Sequence, residues 1–196
     1  MEEDLELLTR LREGDERAFV ELVSRYHDSM LRLARSYVPS AAVAEEVVQD
    51  AWLGVVRGLD RFEGRSSFKT WLFRILVNRA RSAGKREHKT VPMGSPESAV
   101  EASRFDEGGS WISPLEHWSD HVDDRLQADK LAERIRSTLN ELPTGQREVV
   151  TLRDVEGLSS QEVQEVLKIS DGNQRVLLHR GRSTLRRMLE LECGDV

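Results

Sequence analysis

The stretch VPMGSPESAVEASRFDEGGSWISPLEHWSDHVDDR, residues 91–125, constrains the fold more than any other feature of this chain. It drops the three-and-four apolar spacing found on both sides of it and gathers Gly, Pro, Ser and carboxylates instead. Such a composition cannot bury enough apolar surface to offset the entropy of ordering it. The expectation is a flexible acidic linker, with the remaining chain building two separate small cores at 1–90 and 126–196. Trp111, Ile112, Leu115 and Trp118 are the exception within it, readable either as a short docking patch or as scattered linker hydrophobics.

Both flanks read as helical. Phe19, Leu22, Val23, Tyr26, Met30, Leu33, Ala34 and Tyr37 recur three and four apart before Pro39. From Ser40 onward, Val48, Trp52, Val55, Val56 and Leu59 mark an apolar face, with Glu46, Gln49 and Asp50 on the opposite side. A third stripe follows at Phe68, Trp71, Leu72, Ile75, Leu76 and Ala80. Three amphipathic helices can close one small core. Beyond residue 125 the spacing resumes at Leu126, Leu131, Ile135, Leu139 and Leu142 and breaks at Pro143. Ser159 and Glu162 have the spacing of a capping box, which starts a short helix ending near Leu167. Lys168 and Ile169 make a tight connection, and Ser170 can cap a longer helix through roughly Leu189. Helix, short turn and basic helix is the helix-turn-helix order, so the fold class expected is all-α with two small helical domains.

The formal net charge of −6 hides its distribution. Residues 1–90 carry 16 basic and 15 acidic residues, 91–125 carry 2 and 8, and 126–196 carry 11 and 12. Arg61 to Lys89 alone hold nine basic and two acidic residues, on a helix whose other face is apolar. A basic track of this kind either follows a nucleic-acid backbone or is simply a solvated face. The second helix of the C-terminal pair carries Arg175, Arg180, Arg182, Arg186 and Arg187, a pattern suited to duplex phosphates and equally shown by a solvated amphipathic helix.

Several functions are disfavoured. No apolar run approaches the roughly 18 residues that span a bilayer, and MEEDLELLTR is acidic where an export signal is basic, so neither membrane insertion nor export is expected and a cytoplasmic place is. Cys193 is the only cysteine, which excludes an internal disulfide or a cysteine-built zinc site and reads as an incidental thiol. His117 and His121 lie four apart without a third ligand nearby and read as surface residues. No P-loop, zinc-protease helix, dinucleotide turn or cluster of catalytic spacing is present, so no enzyme activity, metal or cofactor is expected.

Three stretches together resemble the extracytoplasmic-function sigma factors of the bacterial sigma-70 family. AEEVVQDAWLGVVRGLDRFEGRSSFKTWLFRILVNRARSAGKRE is similar to sigma region 2, LNELPTGQREVVTLRDVEGLSSQEVQEVL to the start of region 4, and LLHRGRSTLRRML to its end. The resemblance covers nearly everything but the linker. It implies a chain that binds core RNA polymerase, brings it to promoters and helps open the DNA without covalent chemistry of its own. By that likeness Glu46, Gln49 and Asp50 fall on the face that meets the polymerase clamp helices. Arg61, Phe62, Arg65, Ser66, Lys69, Trp71, Arg74, Asn78 and Arg81 fall where the melted −10 element is held, with Arg79 beside them. Asn173, Gln174, Arg175 and His179 fall nearest the bases of the duplex −35 element, with Arg180 and Arg182 on phosphates.

There is a departure. The family usually places a buried apolar residue at the position of Gln174 and polar or basic ones at Val176 and Leu177, so either the helix is rotated or base reading is unusual. Trp71 has the spacing of a core residue and can still offer an edge to a base. The linker's acids could occupy a basic polymerase channel and, in the free protein, cover the two basic surfaces. The resemblance also implies an anti-sigma partner. The competing reading is a stand-alone helix-turn-helix regulator of duplex DNA, which has no use for a basic, aromatic single-strand surface.

Overall fold

In the computed structural model the described residues are 2–87, 134–135 and 137–193, and among them all regular structure is helical. In chain order the elements are α1 (Glu2–Arg12), α2 (Glu16–Ala34), α3 (Ala41–Gly58), a 3-10 turn (Leu59–Arg61), α4 (Phe68–Glu87), α5 (Thr144–Val150), a π turn (Thr151–Val155), α6 (Ser160–Leu167) and α7 (Asp171–Cys193). Residues 137–141 are also helical and stop before Pro143, where the spacing breaks. The expected linker with Trp111, Ile112, Leu115, Trp118, His117 and His121 lies outside the described residues, as do Leu126, Leu131 and the Cys193 side chain.

Two compact units divide the chain: Met1–Met93 with Thr151–Ser170, and Gly94–Val150 with Asp171–Val196. The π turn and α6 group with the N-terminal helices in the first of these units.

In the first unit α2 starts at Asp15, whose carboxylate accepts from the Arg17 amide at 2.9 Å and pairs with Arg10 at 2.7 Å. Ser40 caps α3 through the Val43 amide. Leu8, Leu22, Met30, Leu33, Val48, Val55, Phe68, Leu72, Phe73 and Leu76 form the core, none more than 2% exposed. Two glycines let α3 and α4 approach closely: a Cβ on Gly54 would stand 3.0 Å from Ile75 Cγ2, and one on Gly58 would stand 3.1 Å from the Trp71 indole. The π turn and α6 add Leu152, Val163 and Val166 to the buried set.

α1 was not anticipated from the sequence. It buries Leu7 and Leu8 and carries Asp4, which accepts from the Tyr26 hydroxyl and from Arg25 Nη1, both at 2.7 Å. Burial, reinforced by that hydrogen bond to Asp4, holds the Tyr26 hydroxyl protonated well above its usual range. Val56 is a correction to the sequence reading: expected in the apolar stripe of α3, it is 51% exposed on the same side as the acids.

In the second unit α5 packs on α7 across Gly181. A Cβ there would meet Val150 Cγ2 at 2.6 Å and Gln146 Cβ at 3.3 Å, so only glycine fits the crossing.

Candidate nucleic-acid interface

The loop between the 3-10 turn and α4 is fixed from two sides. Arg12, on the unanticipated α1, donates through Nη2 to the Leu59 carbonyl at 3.1 Å and the Phe62 carbonyl at 2.6 Å. Gly64 supplies the left-handed conformation, φ +71°, that turns the chain back toward α4. Ser67 then accepts from the Thr70 amide at 3.2 Å, which satisfies a first-turn donor of α4.

Phe62 is buried, with its ring 4.8 Å from that of Trp71 and 6.3 Å from that of Phe68. Trp71 is half-buried: it lies against Gly58 and Phe62 while part of the indole remains open. The packing half of the sequence reading of Trp71 agrees with this placement. Arg61, Phe62, Arg65, Ser66, Trp71 and Arg74 line one open cavity of about 340 Å³, together with Glu63 and Glu165. Residues dispersed over fourteen sequence positions thus line one cavity. Arg65 pairs with Glu63 at 2.8 Å, both well exposed.

Lys69, Asn78 and Arg81 lie on α4 outside this cavity. Lys69 is 2.6 Å from the Glu156 carbonyl and holds its ammonium 5.7 Å from the Phe73 ring centre. Arg81 donates to the Leu167 carbonyl at 3.0 Å, and Arg74 pairs with Glu165 at 2.8 Å. Asn78 and Arg79 are exposed. The π turn and α6 thus bring acceptors that the sequence reading missed. Glu162 Oε1 accepts from Ser67 Oγ at 2.9 Å and from Thr70 Oγ1 at 2.7 Å. Its Oε2 accepts from the Ser159 amide at 2.9 Å, which completes the expected capping box. Burial pushes the Glu162 carboxyl up, but the hydrogen bonds from the Ser159 amide, Thr70, the Ser159 hydroxyl and Ser67 outweigh it and hold the group down at about 2.

On α3, Glu46, Gln49 and Asp50 are all exposed. Leu53 and Val56, 52% and 51% exposed, continue the same face at spacings of three and four. An apolar centre flanked by acids is more specific than the acidic face expected from sequence.

On α7, Asn173, Arg175 and Arg180 are exposed, while His179 and Arg182 are half-buried. Arg175 pairs with Asp171 one turn earlier, at 2.8 Å. Gln174 is a correction: it is 2% exposed and its side chain is not presented for base reading. Val176 is 47% exposed. A glutamine thus takes a buried place on α7 and a valine an outer one.

Among the described residues no helix is long and apolar enough to cross a membrane, and no group of three or more His, Cys, Asp or Glu is placed to hold a metal ion.

Comparison with known proteins gives consistent matches. Residues 22–90 match the family described as Sigma-70 region 2, and residues 132–185 the family described as Sigma-70, region 4. The ECF RNA polymerase sigma-E factor of Escherichia coli (strain K12) is 34% identical over 182 residues, 93% of this chain and 92% of that protein. The RNA polymerase sigma-H factor of Pseudomonas aeruginosa is 30% identical over 189 residues, covering 96% and 95%. Among solved structures, CnrH in complex with the cytosolic domain of CnrY is similar with a TM-score of 0.61 at 27% identity, over 96% of this chain and 97% of that one.

Proposed function

Because the chain belongs to the sigma-70 family, in its extracytoplasmic-function group, we propose a division of its work between residues 1–90, which hold polymerase and the melted −10 element, and 126–196, which read the −35 element. The protein is a transcription initiation factor that binds core RNA polymerase, directs it to promoters and assists their melting. It acts by binding alone, in the cytoplasm, with no chemistry of its own.

The cavity under the loop carries this reading. A base drawn from the duplex enters between Arg61, Arg65 and the open part of Trp71, with Phe62 as its floor, while Lys69, Arg74, Asn78, Arg79 and Arg81 take the strand backbone along α4. Base stacking on an aromatic is worth roughly 1–3 kcal/mol per base and tolerates sequence, and the cations supply the salt-dependent remainder. On α3, Leu53 and Val56 pack against a clamp helix of the polymerase, while Glu46, Gln49 and Asp50 form the polar rim that fixes register. On α7, Asn173 and Arg175 read base edges, Val176 meets a thymine methyl, and Arg180 and Arg182 hold phosphates.

The solved complex of CnrH, in which that protein is bound by the cytosolic domain of CnrY, supports a partner of anti-sigma type for this chain as well. Its place is the exposed α3 face that polymerase also needs.

The test is co-purification with core polymerase followed by run-off transcription. Leu53→Asp with Val56→Asp should abolish polymerase association while leaving helicity intact; retained association contradicts the assignment of that face.

A further inference from the structure

The loop between the 3-10 turn and α4 has open space on both of its sides. Phe62 and Glu63 line the front cavity with Trp71 and Arg74. The same two residues line a second cavity of about 310 Å³ behind the loop, walled on its far side by Leu5, Leu8 and Arg12 of α1. The loop is therefore a thin partition. Among the described residues, Glu63, Gly64, Arg65 and Ser66 make no backbone–backbone hydrogen bond. The last one before them joins the Phe62 amide to the Leu59 carbonyl at 3.1 Å, and the next joins the Trp71 amide to the Ser67 carbonyl at 3.0 Å. At its start the partition is held by one guanidinium. Arg12 Nη2 donates to the Leu59 carbonyl at 3.1 Å and to the Phe62 carbonyl at 2.6 Å, tying the first residue of the 3-10 turn to the residue just past its end. The Phe62 carbonyl is thereby drawn toward α1, which fixes the direction in which the chain enters Glu63. Hydrogen bonds from a cation are roughly twice as strong as neutral ones, so this tie is a firm one.

We propose that Arg12 is a positioning residue for base capture: its hold on the Leu59 and Phe62 carbonyls keeps the partition out of the rear cavity and keeps the front cavity at the width an unstacked base needs. The inference rests on the reading of the front cavity as the base site. A loop held beforehand in its bound geometry has less ordering left to undergo when the base arrives. Without the tie the partition can settle into the space behind it, and Phe62, the floor of the front cavity, moves with it. Arg12 is exposed at the end of α1, so its replacement alters the loop rather than the core.

The test uses holoenzyme assembled from core polymerase and the full chain, on a promoter that it opens. Each −10 nucleotide of the non-template strand is replaced in turn by an abasic residue, which removes the base and keeps the phosphate. Opening by the parent should fall about tenfold at the position whose base enters the cavity, the loss of one stacked base. Arg12→Ala should open the intact promoter about fivefold less well than the parent, yet stay within about twofold of it on the promoter abasic at that position, where no base is left to capture. Arg12→Lys keeps the charge with a shorter reach and should show the same dependence on template at smaller size. Opening of the intact promoter by Arg12→Ala at the parent's level overturns the proposal. So does an equal loss on both templates by either variant, the result expected of a phosphate contact or of general destabilisation. The abasic scan separates the two readings. If the parent loses opening at no position, the base site fails and the role of Arg12 with it. If a sensitive position exists but Arg12→Ala shows no dependence on template, the positioning role is discarded and the base site stands.

Discussion

Glu162 shows how one carboxylate can serve a helix and a neighbouring surface together. Oε2 closes the cap of α6, and Oε1 takes two hydroxyl protons from the start of α4. Its pKa is depressed in the folded chain, from 4.5 to about 2, so its contribution is complete above 4.5 and is lost as pH falls toward about 2. A carboxyl-carbon NMR titration should show Glu162 still ionised where ordinary glutamates are half protonated; a midpoint at 4.5 contradicts the described hydrogen bonds. Trp71 is the other residue for which two roles are proposed. Trp71→Ala should reduce promoter opening by about tenfold, consistent with loss of one stacked base at roughly 1–3 kcal/mol, while Trp71→Phe should keep most of it. Equal opening by both variants and the parent would remove Trp71 from the strand path.

At the scale of elements, close crossings depend on missing side chains. Gly181→Ala forces a methyl to 2.6 Å from Val150 and should cost about 1–3 kcal/mol in urea unfolding of the intact chain. Little change would mean that α5 and α7 can separate without penalty. Local signals made much of this level legible. Ser159 and Glu162 gave the start of α6, Ser40 that of α3, and Pro143 the end of the preceding helix, because caps and breakers act within four residues. α1 was missed because its main buried pair, Leu7 and Leu8, is adjacent and shows no long period. Val56 was misplaced because an apolar residue on an outward face has the same spacing as one in a core; its exposure becomes sensible once α3 has a partner. Gln174 was misassigned because residue type suggested base reading, whereas its place on α7 is a buried one. The partnership of Lys69 with Glu156 spans 87 residues and has no local signature at all.

At the scale of the whole molecule, a net charge of −6 coexists with a DNA-binding role because acids and bases are segregated along the chain. The N-terminal basic excess is confined to 61–89, and its helix carries the cavity-lining Trp71 and Arg74. The family resemblance named Arg61, Phe62, Arg65, Ser66, Trp71 and Arg74 together, and they line one cavity because they fall on one loop and the first turns of one helix. The Glu63 and Glu165 walls of the same cavity became visible only in three dimensions. Permanganate footprinting of a promoter bubble formed by core polymerase tests the central claim most directly, comparing the parent chain with Arg61→Ala, Arg65→Ala and Arg74→Ala combined. The account predicts polymerase association unchanged and thymine reactivity in the −10 region reduced by about tenfold or more, in line with the loss of several strand contacts. A bubble of undiminished reactivity would contradict it.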